Sequence, residues 1–563
     1  MPKPWLTRYD SGVPPSLAPY PARTILDFIH DTAAERPDHP AVIFRGARLS
    51  YRALERASDA FAAALVGLGV RRGDHVALVL PNCPQFLIAE VGIWKAGAVV
   101  CPINPMYTER ELREALVQSE VSMAVVLTPF YGRVRAALPA TRIRRVIATN
   151  IKESLPPVLR LLFTLFRERR DGHRIRLDAS DLWFQDLIAA HRDAPPPAVA
   201  PTPEDPAIML MSGGTTGTPK AAVGLHRSLV AAGLQLHAWM RPESRDWDDV
   251  VMLPLPLFHV YGNAGVQTYA IIGHNPLLLV PDPRDVDDLL AQIRKERPAF
   301  LAGVPALFIA LLKHPEVAAG RADFSSIRLC FSGAAPLMAE TKRRFEALSG
   351  GRIAEGYSLT EAMMATIVNP VKGPNKIGSV GLPTPDVEVR IVDADAGTRE
   401  LGAGEVGEVI IAAPQLMTGY WQNPEETALV LRSRPGSGLW LHTGDLGYLD
   451  EDGYLFIVDR KKDLMKPGGF QTWPREVEEV LAAHPAVAEV GVAGVPEPGK
   501  GEYVKAWVVL RPGAAATEAD LRAFCRQSLA PYKVPRHVEF RSDLPKTLAG
   551  KVLRRALRDE ETR

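Results

Sequence analysis

Residues 211–220 read MSGGTTGTPK, from Met211 to Lys220, and the rest of the chain is arranged around them. Gly213, Gly214 and Gly217 are set among Ser212, Thr215, Thr216 and Thr218 before the stretch closes on Lys220. Glycines lack a Cβ and accept positive φ, so a backbone built from them can come close to a ligand. Hydroxyls, bare N–H groups and one ammonium are what a polyphosphate needs around it. The apolar run Ala207 to Met211 reads as a buried strand, and the spacing from about His226 to Met240 reads as a helix. The loop is therefore expected to join a strand to a helix, a common phosphate-binding context. A Gly/Thr stretch alone is more often a surface loop, but Thr-Thr between glycines followed by Thr-Pro-Lys argues against that here. The stretch is not a Walker A loop, which ends Gly-Lys-Ser/Thr. Lys220 lies between Pro219 and Ala221, so a metal ligand has to come from elsewhere.

The 563 residues are enough for two to four domains, and 47% of them are apolar, enough for a large core. A formal net charge of +1 argues against a nucleic-acid partner held mainly through its phosphates. Cys83, Cys101, Cys330 and Cys525 are far apart and form no CxxC pair, which fits a reducing cytosol and no zinc site. The opening MPKPWLTRYD has no apolar stretch of the signal-peptide kind, and no apolar run reaches the roughly 20 residues of a membrane span. A cytoplasmic protein is expected.

Outward from the glycine-rich loop, helical and strand patterns alternate. Helices are expected at Ile25 to Glu35, Tyr51 to Leu68 and Pro84 to Lys95, with Thr108 and Glu111 forming a capping box for the next one. Strands are expected at Ala41 to Phe44, His75 to Leu80, Ala98 to Cys101, Met123 to Leu127 and Arg145 to Ala148. Such alternation gives an α/β fold with parallel sheet covered on both faces. Residues 378–458 read as short strands with Gly turns. Beyond Asp459 the pattern restarts as a compact α+β unit, so domains are expected at 1–459 and 460–563.

Residues 152–176 differ in character. An apolar run, Val158 to Phe166, is followed by Arg167, Arg169, Arg170, His173, Arg174 and Arg176. Two readings stand side by side: a basic amphipathic helix lying on an anionic membrane surface, or a helix packed on its own domain with a solvated basic edge.

Further motifs carry chemistry. In Glu355 to Glu361 (EGYSLTE), an aromatic beside glycine suits stacking on a base, and Thr-Glu can reach phosphates and metal. In Trp440 to Asp445 (WLHTGD), an aspartate in a Gly turn can accept ribose hydroxyls or cap its own turn. By composition alone, Val458 to Gly469 (VDRKKDLMKPGG) is a solvated charged turn and Pro545 to Arg555 (PKTLAGKVLRR) a solvated basic tail. Pro254 to Gly265 (PLPLFHVYGNAG) carries His259, by default a satisfied core histidine. Small residues there and at Gly303 leave room for a long chain or serve tight packing.

Taken in this order, from about residue 20 to 556, these motifs resemble the AMP-forming acyl-CoA synthetases of the adenylate-forming superfamily, most closely the bacterial long-chain fatty acid–CoA ligases. Ala221 replaces the glycine that usually ends the family's loop. The resemblance implies a large N-terminal domain with doubly wound sheets and a β-rich subdomain, plus a small mobile α+β domain turning about Lys462. It places residues 212–218 and Lys220 on the phosphates of ATP, and Gly333, Ala334, Ala335 and Pro336 beside the adenine. Glu355, Gly356, Tyr357 and Ser358 join them, with Tyr357 on the adenine face. Thr360 goes to the phosphates, Glu361 to Mg2+, Asp445 to the ribose, and Arg460 to ribose and phosphates. Lys551 becomes the catalytic lysine, acting with Thr360 and Glu361. Lys466, Gly468, Gly469 and Phe470 line a CoA tunnel, and His259, Tyr261, Gly262, Asn263 and Gly303 an acyl pocket. Some long-chain relatives carry a gating tryptophan near the place of Asn263, which this chain lacks.

The implied activity is ATP- and Mg2+-dependent activation of a medium- to long-chain fatty acid to acyl-AMP, then transfer to CoA. Other adenylating ligases, for aryl or short-chain acids or for carrier proteins, and a non-catalytic acyl or nucleotide binder are the rivals. A homodimer is compatible with the resemblance.

Overall fold

The computed structural model describes residues 3–212, 220–364, 366–465, 467, 472–497, 501–546 and 552–561, with Lys462 and Gly501 described by backbone alone. Gly213, Gly214, Thr215, Thr216, Gly217, Thr218, Lys466, Gly468, Gly469, Phe470 and Lys551 lie outside these residues.

The strand His75–Val79 is buried at every position, as a parallel strand covered on both faces must be. It pairs in parallel with Val99–Pro102 on one side and Met123–Leu127 on the other. The crossover between His75–Val79 and Val99–Pro102 is the helix Pro84–Lys95, in which every residue from Pro84 to Trp94 is buried. Pro206–Ser212 joins this sheet in parallel, and Lys220–Leu225 and Gly419–Tyr420 extend it antiparallel. With Arg145–Thr149 and Leu182–Trp183 at the far side, it has eight strands.

A second, nine-stranded sheet is parallel from Pro40–Phe44 through Leu277–Leu279, Val251–Leu253, Phe300–Gly303 and Leu329–Ser332 to Arg352–Tyr357. Antiparallel strands close both of its edges. One apolar cluster joins the two sheets, including Leu78 and Val100 from the first, Leu253 and Phe300 from the second, and Phe61 and Trp94 from helices.

Five antiparallel strands between Glu388 and Arg460 form a third sheet. Past it, Val487–Glu497, Gly501–Leu510 and His537–Phe540 form a three-stranded sheet, whose core is shared with the helices Pro474–Ala482 and Glu518–Arg526. Local sequence sets many boundaries. Thr108 and Glu111 form the expected capping box, and Ser50 caps Tyr51–Gly67 through the Ala53 N–H.

One expectation is corrected. The 213–219 stretch connects Pro206–Ser212 to a second strand, Lys220–Leu225, paired antiparallel with Ser212 opposite Lys220. The helix His226–Met240 begins only after that strand. Positions 220–225 are all buried, so an apolar run too short to be told from a helix start folds as sheet.

Candidate active site

The hairpin register places Ser212 and Lys220 side by side where the glycine-rich stretch leaves the sheet. Ser212 Oγ donates to Glu361 Oε1 at 2.6 Å, and the Tyr420 hydroxyl donates to the same oxygen at 2.7 Å. Glu361 lies in the 3-10 turn Thr360–Ala362, just after Arg352–Tyr357. The two residues after that turn, Met363 and Met364, both hold left-handed backbone at φ 47° and 72°. Consecutive non-glycine residues in that region persist only where surrounding structure over-determines them, and such strain gathers at functional sites. Lys220 is almost wholly buried, pairs with Glu426 at 2.5 Å and lies 5.3 Å from the centre of the Tyr420 ring. Burial and the Glu361 carboxylate push the Tyr420 hydroxyl above the usual phenol range, so it donates rather than ionises.

A second polar corner is built on cross-strand pairing. Asp445 and Arg460 are direct partners in the third sheet, with Arg460 Nε 3.2 Å from Asp445 Oδ1. Tyr357 donates its hydroxyl to Asp445 Oδ2 at 2.5 Å. Burial opposes the Arg460 charge, yet Asp445, Tyr357, Asp463 and Glu361 together raise its pKa. Arg460 therefore links this corner electrostatically to Glu361. An ionised carboxylate offers about four lone-pair sites, so Asp445 keeps capacity for a ligand hydroxyl.

The stretch from Gly333 to Pro336 follows the strand Leu329–Ser332, and Ala334 adopts φ 67°. The Ser332 and Ser358 hydroxyls are buried without a partner among the described residues, and Ser332 sits opposite Glu355 in the sheet. Two orphaned hydroxyls beside a strained turn are what a ligand edge would satisfy. Glu355 itself is taken up within the protein: Lys342 Nζ lies 3.3 Å from its Oε1 and donates to Ile353 O at 2.8 Å. Gly356 serves packing, since a Cβ there would lie 2.4 Å from Phe331 Cζ.

The expected acyl-pocket residues are brought together, in a particular way. Tyr261–Gln267 is wound as a π-helix. Tyr261 donates to Gly303 O and Phe331 O at 3.1 and 2.9 Å, and its backbone N–H donates to His259 Nδ1 at 3.2 Å. Desolvation lowers the His259 pKa to about 4, so it is neutral at pH 7. At the small residues the structure answers for packing. A Cβ would meet Pro256 O at 2.4 Å from Gly262, Met364 Cγ at 2.6 Å from Gly265, and Leu307 Cδ2 at 3.0 Å from Gly303. Asn263 turns to Glu90 on the buried helix.

Tyr420, Glu426, Lys342 and Glu90 escaped the sequence reading. Asn423 before Pro424 is a readable helix start and puts Glu426 in a first turn. Nothing local to Tyr420 points to Glu361, 59 residues earlier; the Gly419–Tyr420 strand pairing carries it there.

Comparison with known proteins gives this geometry its context. Residues 29–421 match the AMP-binding enzyme family and residues 476–551 match the AMP-binding enzyme C-terminal domain. The chain belongs to the AMP-binding enzyme family. It is 40% identical over 564 residues to a long-chain-fatty-acid–CoA ligase of Bacillus subtilis (strain 168), covering 100% of this chain and 98% of that protein. Identity to the long-chain-fatty-acid–CoA ligase of Escherichia coli O157:H7 is 37% over 566 residues, with the same coverage. Among solved structures, ATP-bound MatB from Rhodopseudomonas palustris superposes with a TM-score of 0.80 at 29% identity, covering 96% of this chain and 99% of that one.

Proposed function

We propose that the protein is an ATP-dependent ligase that activates a medium- to long-chain fatty acid and transfers it to CoA. The observation that carries this reading is the end-to-end likeness to two long-chain-fatty-acid–CoA ligases, with the Ser212–Glu361–Tyr420 cluster built at the mouth of the glycine-rich loop. A carboxylate oxygen of the acid attacks the α-phosphorus of ATP, an O–P bond forms, and pyrophosphate leaves. The CoA thiol then attacks the acyl carbon, loses its proton, and AMP leaves. The first step is mainly positioning and charge stabilisation, as in other phosphoryl chemistry.

In this reading Lys220 exchanges Glu426 for a phosphate, and Ser212 holds Glu361 in place. Asp445 and Arg460 take the ribose, and the Ser332 and Ser358 edges flank the adenine. Glu361 would hold Mg2+. Its Oε2 makes no hydrogen bond to a described residue, and a hard cation takes one or two carboxylates together with phosphate oxygens. When bound, the ion would neutralise charge on the phosphates. Lys551, on its motif, is assigned to the adenylation step, and residues 460–563 to a unit that turns about Lys462 between the two steps.

CoA-dependent pyrophosphate release across straight-chain acids, with benzoate and cinnamate beside them, tests the reading. Each buried methylene contributes up to about 0.8 kcal/mol, so kcat/KM should climb plainly towards long chains. A maximum at short or aromatic acids would replace the substrate, and release without CoA consumption would move the acceptor to a carrier protein.

We further propose peripheral contact with anionic membrane through residues 152–176. The helix Pro157–Phe166 buries none of its residues, and Val158, Leu161, Leu165 and Phe166 are each at least 60% exposed. Five arginines follow against Glu168 and Asp171. No helix among the described residues is long and apolar enough to cross a membrane, so the contact would be interfacial. Co-sedimentation with anionic but not zwitterionic vesicles is the expected result, and equal recovery with both would remove the reading.

A further inference from the structure

Glu90 lies in the middle of the Pro84–Lys95 helix with none of its surface exposed. A buried carboxyl is costly unless it is hydrogen-bonded. This one is held at both oxygens: Asn263 Nδ2 donates to Oε1 at 2.7 Å and Gln267 Nε2 to Oε2 at 2.5 Å. Burial still pushes its pKa up to about 7 against these two amides. Both amides come from the same π-helix, Tyr261–Gln267, four residues apart. A π-turn is rare and concentrates at functional sites. The amide oxygens Asn263 Oδ1 and Gln267 Oε1 have no partner among the described residues, so what orients the two side chains is Glu90.

The other side of this turn meets the candidate site. The Tyr261 ring packs edge-on against Phe331 at 5.4 Å, and a Cβ on Gly333 would lie 3.4 Å from it. Gly265 rests on Met364, three residues after Glu361.

We infer that Glu90 is a positioning residue. It latches the π-helical wall from behind, through Asn263 and Gln267, and so sets how that wall receives the acyl group. The inference rests on the reading that this wall lines the acid-binding site. Glu90 touches no reacting atom; it acts on the substrate through the winding of residues 261–267.

Substitutions that remove or keep the acceptors test it. Glu90→Leu removes both acceptors and leaves the Asn263 and Gln267 amides unpaired. Glu90→Gln keeps both bonds: its amide oxygen accepts from Asn263, and its N–H donates to Gln267 once that amide turns its free oxygen inward. Glu90→Leu should raise the KM for fatty acid about tenfold, leave the KM values for ATP and CoA unchanged, and speed hydrogen exchange across residues 261–267. Glu90→Gln should keep both near their wild-type values. Unchanged acid KM and exchange in Glu90→Leu, a common rise in all three KM values, or a loss in Glu90→Gln equal to that in Glu90→Leu would each overturn the latch. Should Glu90→Leu fail to fold, Gln267→Leu removes one of the two bonds instead and is read by the same outcomes, and failure of both to fold overturns the inference. If the wild-type enzyme turns over no fatty acid, the functional reading fails separately. Exchange across 261–267, faster in Glu90→Leu but not in Glu90→Gln, or never altered, still decides for or against the latch.

Discussion

Two helices of this protein begin alike and end in opposite places. Pro84–Lys95 and Pro157–Phe166 both open with proline in the first turn, and both are dominated by apolar residues. Each lies in a crossover between parallel strands of the same eight-stranded sheet. The first is buried from Pro84 to Trp94; the second buries nothing. Apolarity therefore does not choose the partner. The short connections around Pro84–Lys95 press it onto the sheet between Phe61 and the strands, tightly enough that a Cβ on Gly92 would come 2.8 Å from Phe61. The crossover around Pro157–Phe166 is longer and ends at the two-residue edge strand Leu182–Trp183, and its helix stands clear of the core. The first helix became a place to bury a carboxyl that positions the site. The second became a surface with an apolar side and a basic flank.

The sharpest way to break this contrast is to damage the buried helix. Trp94→Ala removes a fully buried indole and its hydrogen bond to Ala207 O, and should cost about 3–5 kcal/mol in denaturant-derived stability. A loss under about 1 kcal/mol would show that the helix is not part of the common core.

The corresponding change on the other helix should be nearly silent for stability. Leu161→Asp with Leu165→Asp alters two exposed positions, so unfolding should shift by no more than about 0.5 kcal/mol, while partitioning to anionic vesicles falls by about tenfold or more. A large stability loss with unchanged partitioning would assign this helix to an intramolecular partner.

The smallest effect compares the histidines beside the two helices. His226 packs edge-on against Trp94 at 5.7 Å, and His173 against Phe163 at 5.1 Å. Desolvation lowers both pKa values from 6.5 to about 4. Each therefore favours the folded state above pH 6.5, and that contribution is lost as pH falls towards 4. His226→Gln should flatten the acid dependence of global unfolding. His173→Gln should change only acid-induced hydrogen exchange in residues 157–176. Equal effects on global unfolding would erase the distinction between the two regions.

What was legible in the sequence follows the range of the forces involved. The ends of Ile25–Glu35 and Pro84–Lys95 were readable because caps, prolines and apolar spacing act within a turn or two. The strand Lys220–Leu225 was not, because only its pairing with Pro206–Ser212 distinguishes it from the start of a helix. The motifs pointed to Glu361, Asp445 and Arg460 as individual residues, and the structure shows who holds them. Tyr420 reaches Glu361 by strand pairing, and Tyr357 spends its hydroxyl on Asp445, contacts separated by 59 and 88 residues. Glu90 carried no signal at all: an acid in an apolar helix reads as a misfit until the two amides of a distant π-helix are brought to it.

An acid activated by bonding to the α-phosphorus of ATP leaves an isotopic trace of that bond. The wild-type protein would be given a long-chain fatty acid labelled in its carboxylate with oxygen-18, together with ATP, Mg2+ and CoA, and the AMP examined by mass spectrometry. Activation through acyl-AMP leaves one labelled oxygen on the phosphate of AMP as the thioester forms. AMP without label, formed alongside acyl-CoA, would rule out activation through acyl-AMP.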